Sequence, residues 1–174
     1  RKNPVSLLWY RQQGYLAEAL LNFFALLGWS HPEGKEIFDL DEFTKVFDFD
    51  RIHKSGPIFD LAKLDWINGE YIRKTQNLEL KTQINKLFGD RYPQDLIEKI
   101  LPLVKDRIKK LSEFEELAGF FFERRKVDKK LLGKGWKKHL EVSRGALEKI
   151  KIWNNETINS CLLSLVKENN FKTG

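Results

Sequence analysis

The sequence has no methionine and a single cysteine, Cys161, so no disulfide can form within it. One free thiol fits a reducing compartment. Its first residue is Arg1, which sets the expectation of a piece of a longer chain, with function to be asked of both piece and parent. No apolar run approaches the roughly 20 residues needed to span a membrane, and the basic N-terminus leads into an amphipathic segment, not a signal peptide. The histidines, His31, His53 and His139, are far apart and have no companion cysteine, which excludes metal-ligand spacing. There is neither a strand–glycine–helix phosphate loop nor a G-x-S-x-G elbow. Cys161 lies beside Ile158, Leu162 and Leu163, as an inert buried thiol would. Nothing here assembles a catalytic site.

What is present is a core and a local surplus of positive charge. Hydrophobic residues make up 41% of the 174 and aromatics 13%, enough to bury a core and too much for a disordered tail. The net charge is +6. Between Lys105 and Lys138 stand 12 basic and 6 acidic residues, a surplus of six, so the rest of the chain balances to zero. A solvated helical face would account for a generic charge run. Concentration of the whole excess in one window points to an anionic partner, most directly a phosphate backbone.

The pattern along the chain is helical. Asn3 and Pro4 suit the start of a first helix, and Gly14 a left-handed stop. Leu16, Leu20, Phe23, Phe24 and Leu27 share one helical face, with Glu18 and Asn22 opposite. A capping signature occurs twice: Phe38-Asp39 with Glu42 and Phe43, and Phe59-Asp60 with Leu64, where Lys63 replaces the acid. Asn68-Gly69 reads as the end of that second helix, with Trp66 wedged at the joint. Asn77 and Ser112 are expected caps, and Pro102 an expected break or kink. Residues 136–152 and 157–167 read as helices with Leu140, Leu147, Ile150, Leu162, Leu163 and Val166 spaced for burial. No convincing alternating strand is found, so the expected class is mostly α.

Two stretches carry a family likeness. RKNPVSLLWYRQQGYLAEALLNFFALLGWS at 1–30 and DFDRIHKSGPIFDLAKLDWINGEYIR at 48–73 resemble bacterial and organellar glutamyl-tRNA synthetase, a class I aminoacyl-tRNA synthetase. LVKDRIKKLSEFEELAGFFF at 103–122 continues the likeness more weakly. Arg1 looks like the last residue of that family's KMSKS-type ATP loop. The motif's lysines, the His-Ile-Gly-His motif and the Rossmann active site would then lie upstream. The resemblance implies a helical stem-contact domain over 1–75, a first anticodon-binding bundle over 76–140, and the start of a second, truncated one over 141–174.

The same resemblance implies a tRNA-binding piece of a glutamate–tRNA ligase, inactive alone and cytoplasmic. The parent would use ATP and Mg²⁺ to join glutamate to tRNA for glutamate, or for glutamine as well. Arg107, then Lys105, would read the anticodon; the other reading of Arg107 is an ion pair with Glu113 or a neighbouring acid. Lys54, Lys63, Arg73, Lys109, Lys110, Arg124, Arg125 and Lys126 would meet the tRNA backbone, and no residue would be catalytic or bind metal. A free-standing helical RNA-binding module and a helical protein-interaction scaffold are the rival readings.

Overall fold

A computed structural model describes residues 6–54, 56–124 and 126–171, with Asp90 and Leu131 as backbone alone. Arg1, Asn3, Pro4 and Arg125 lie outside the described residues. Among those described there is no β-strand, and one isolated antiparallel bridge pairs Trp29 with Ile52. The architecture is therefore helical, as the periodicity requires. The chain divides into two compact units, one up to residue 125 and one from residue 126.

In the first unit, α1 (Leu7–Gln12) runs into Gly14, which takes φ +76° and turns the chain into α2 (Ala17–Gly28). Asp39 caps α3 (Leu40–Val46) by accepting the Glu42 N–H at 2.7 Å, and the Phe38 and Phe43 rings stack with centroids 6.1 Å apart. Asp60 caps α4 (Leu61–Lys74) by accepting from the Ala62 and Lys63 N–H groups. Such caps contribute about 1 kcal/mol each. α5 (Asn77–Phe88), α6 (Gln94–Val104) and α7 (Glu113–Ala118) complete the unit. One continuous core runs from Tyr10 through Phe23, Leu64, Ile67, Ile72, Ile84, Ile97 and Leu101 to Phe114 and Ala118.

Several local expectations are corrected. α4 does not end at Asn68-Gly69; both are buried in mid-helix. Trp66 is no wedge, being 40% exposed, and Phe24 is also largely outside the core. Asn22, assigned to the polar side of α2, is buried and accepts from the Phe38 N–H and the Tyr71 hydroxyl. Gln76, not Asn77, precedes α5, and neither it nor Ser112 makes a side-chain cap bond. Pro102 sits inside α6, two residues before its last residue, without breaking it.

The second unit holds α8 (Trp136–Leu147) and α9 (Asn155–Asn169). Asn154 caps α9 in a reciprocal box with Thr157. The spacing of Leu140, Leu162 and Leu163 suggested burial, but all three are exposed, and Leu165 is the one buried residue described in this unit.

Candidate nucleic-acid interface

The basic window opens where α6 gives way to a 3-10 turn, Lys105–Arg107, followed by a loop into α7. This segment is tied down at close intervals. The Lys105 ammonium donates to the Thr75 carbonyl at the C-terminal end of α4, at 2.5 Å. A cation suits that negative end of the helix dipole. Ile108 is fully buried. The Lys109 carbonyl accepts from Asn68 Nδ2 at 2.5 Å, and the Lys109 N–H donates to Glu113 Oε2 at 2.7 Å. The Leu111 N–H donates to the Gly14 carbonyl at 3.1 Å.

Asn68 is the centre of this arrangement. It is fully buried on α4, and its Oδ1 accepts the Leu16 N–H at 2.8 Å while its Nδ2 holds Lys109. One side chain thereby joins the start of α2, the middle of α4 and the basic loop. A buried amide with both ends satisfied stabilises its setting, and leaving its partners unmet costs about 1–3 kcal/mol for each. One turn earlier on α4, Asp65 accepts from the Tyr15 hydroxyl and lies 3.0 Å from the Lys110 ammonium, which also reaches Glu113 at 3.2 Å. Lys110 Nζ sits 5.9 Å from the Tyr15 ring centroid. Burial alone would lower the Lys110 pKa; the two carboxylates outweigh it and the net shift is upward. Burial first, then the hydrogen bond to Asp65, pushes the Tyr15 phenol far above its ordinary value.

Backbone geometry closes the knot. A Cβ on Gly14 would stand 2.6 Å from Leu111 Cβ and 2.8 Å from Leu111 N, so the left-handed φ and the close approach both require glycine. At Gly69 the Arg73 guanidinium lies alongside, 3.3 Å from where a Cβ would be.

Sequence reasoning grouped these cations together, and the structure divides them. Lys110 is only one-fifth exposed and neutralised by Asp65 and Glu113. Lys63 pairs with Glu36 at 2.6 Å, Arg73 with Glu70, and Lys105 holds the Thr75 carbonyl. Arg107 and Lys109, by contrast, are exposed, and their side chains have no partner among the described residues. The Arg107–Glu113 pair considered from sequence is therefore corrected: Glu113 is taken by Lys110 and the loop backbone. Lys54, Arg124 and Lys126 are also exposed and have no side-chain partner among the described residues. Lys63 and Arg73 lie ten positions apart on α4, about 15 Å along its axis, so they form no single cluster. Among the described residues no group of three or more His, Cys, Asp or Glu side chains is arranged to hold a metal ion, and no helix is long and apolar enough to cross a membrane.

Asn68, Asp65 and Glu113 were missed as organisers of the loop. A signal for Asn68 was present: Leu64, Ile67, Asn68 and Ile72 follow the i, i+3, i+4, i+8 spacing of one buried face. The turn chemistry of Asn-Gly outweighed it.

Comparison with known proteins sharpens the outline. The family model for the anticodon binding domain matches residues 70–174, and that for the class I tRNA synthetase catalytic domain (E and Q) matches residues 1–66. Among curated proteins, the glutamate–tRNA ligase of Pseudomonas putida (strain GB-1) is 36% identical over 174 residues, covering 96% of this chain and 35% of the ligase. That of Acidothermus cellulolyticus is 37% identical over 179 residues, covering 93% of this chain and 36% of the ligase. Among solved structures, a glutamate tRNA ligase from Elizabethkingia meningosepticum CCUG26117, in complex with its amino acid, superposes with TM-score 0.74 at 26% identity over 94% of this chain and 34% of that one. The glutamate-tRNA synthetase from Elizabethkingia anophelis gives 0.75 at 28%, over 94% and 33%. The chain spans about a third of the length of these relatives.

Proposed function

This chain belongs to the anticodon binding domain family, and from that premise we propose that it is the tRNA-binding part of a glutamate–tRNA ligase. The parent enzyme would activate glutamate with ATP to a glutamyl-adenylate and pass it to the tRNA 3′ end in the cytoplasm. On this reading the ATP and Mg²⁺ sites would belong to the parent enzyme outside this chain, with Arg1 as the end of the ATP loop. The first 75 residues contact the tRNA stem, residues 76–140 form the first anticodon-binding bundle, and 141–174 begin the second.

The observation that carries this reading is the anchored loop with two unneutralised cations, Arg107 and Lys109, inside the region matched by the anticodon-binding family. A guanidinium can meet an unstacked base with two directed hydrogen bonds, and a lysine a phosphate. Arg107 reads the third anticodon base, with Lys105 beside it fixing the turn. Lys109, Lys54, Arg124, Arg125 and Lys126 touch phosphates. Lys63, Arg73 and Lys110 can do so only by sharing charge already committed to Glu36, Glu70 and Asp65.

The test is a titration with tRNA for glutamate and with the same tRNA altered at the third anticodon base. Affinity should fall at least about tenfold between 50 and 200 mM salt. Arg107→Ala should cost about 1–3 kcal/mol against the correct base and less against the altered one. A salt-insensitive interaction that ignores Arg107→Ala would instead indicate a protein scaffold. The chain alone should not catalyse ATP–pyrophosphate exchange.

A further inference from the structure

We infer that Asn68 is a positioning residue for base reading, acting through the backbone from which Arg107 projects; this rests on the tRNA-reading role proposed above. The residues on either side of Arg107 are fixed: Lys105 by its ammonium on the Thr75 carbonyl, Ile108 by full burial, and Lys109 by Asn68 on its carbonyl and Glu113 on its N–H. Arg107 and the Lys109 ammonium are left outside. A flexible side chain on a fixed backbone loses less freedom on binding, and a planar fork selects one base edge only if its plane is set. Misplacement by about 1 Å is enough to lose such a contact.

Of these tethers, Asn68 is the one whose side chain also bonds the start of α2, so it joins the loop to α2 as well as to α4. Its second arm on the Leu16 N–H locks the side chain's orientation, so Nδ2 cannot swing away from Lys109. It also lies in residues 67–69, which neither family model matches. Asn68 touches no RNA itself, being fully buried. Its contribution is to selectivity through Arg107, and to stability separately.

Two substitutions separate these effects. Asn68→Ala removes both bonds, whereas Asn68→Asp keeps an acceptor for Leu16 and opposes the Lys109 carbonyl with a second acceptor. Each is titrated, at fixed salt and with helicity checked, against transcripts of tRNA for glutamate carrying the original or an altered third anticodon base. Discrimination should fall about tenfold in both, the worth of one directed base contact. In an Arg107→Ala background the same substitutions should cost no further discrimination. An equal loss in both backgrounds would overturn the inference and leave Asn68 as fold glue.

Should the Asn68 variants unfold, Glu113→Ala decides, since its side chain is partly exposed. Removing a carboxylate beside a polyanion raises affinity on Coulomb grounds. Loss of the Lys109 clamp predicts instead a fall, restored by Glu113→Gln, which keeps an acceptor oxygen. A rise with Glu113→Ala refutes the positioning role. If Arg107→Ala itself leaves discrimination untouched, the tRNA reading fails first, and that result is distinct from the others.

Discussion

The two units contain helices of similar length and apolar spacing, yet they are held differently. α4 buries Leu64, Ile67 and Ile72 completely against a core shared with α2, α5, α6 and α7. α8 and α9 have comparable patterns, but Leu140, Leu162 and Leu163 remain exposed, as do Ile152 and Trp153 in the connection between them, and Leu165 alone is buried among the described residues of this unit. A helical stripe becomes a core only when other elements surround it. Two helices provide one mutual contact and leave the outer faces in water. Burial in the first unit is joined by a polar knot whose members, Tyr15, Asp65, Asn68 and Lys110, come from three separate segments. No comparable buried network occurs among the described residues of the second.

The most direct way to break this contrast is to remove a side chain from each. Phe114→Ala should destabilise the first unit by about 3–5 kcal/mol, whereas Leu140→Ala in the second should stay within about 1 kcal/mol. Urea denaturation followed by helicity, with separate probes in each unit, measures both, and comparable losses would erase the distinction. Gly14→Ala comes next, at about 2 kcal/mol or more, because it combines a left-handed φ with a collision at Leu111. Its cost should appear in the first transition and leave the second unchanged.

A smaller effect is expected from alkali. All four tyrosines, Tyr10, Tyr15, Tyr71 and Tyr92, lie in the first unit, and burial is the leading cause raising each. Tyr71 is pushed up to about 12, burial acting before the nearby Asp39, Glu18 and Glu42. Lys110 is raised as well. A folded pKa above the unfolded value contributes stability that is full below the unfolded pKa and is lost as pH rises through the folded one. The first unit should therefore weaken from about pH 10 upward, and the second should not share that slope. Tyr15→Phe should flatten part of it in denaturation midpoints taken from pH 8 to 12.

Local chemistry was legible where its partners were local. Asp39 and Asp60 cap as their sequence positions suggest, and Gly14 turns left-handed as a helix stop should. Asn68-Gly69 misleads because its conflict with helix is resolved at long range: the amide is satisfied 52 and 41 residues away, by Leu16 and Lys109. The charge window was legible as an excess, but the division between free and committed cations was not. Lys110 is neutralised by Asp65, 45 residues distant, and no periodicity reports that pairing. Lys109 differs from the adjacent Lys110 in three-dimensional company, not in residue type.

The continuity of α4 bears on what can be exchanged between relatives. The catalytic-domain and anticodon-binding families meet between residues 66 and 70, inside a helix of 14 residues about 21 Å long. A chimaera joined at that seam would graft half a helix onto another, splitting Asp65 and Tyr15 from Lys110 and bringing a foreign neighbour to Gly14. Recombination between homologues should tolerate a crossover near residue 125, where one compact unit gives way to the next, far better than one where the families change. In this protein the unit of inheritance that preserves the fold is larger than either family's share of it.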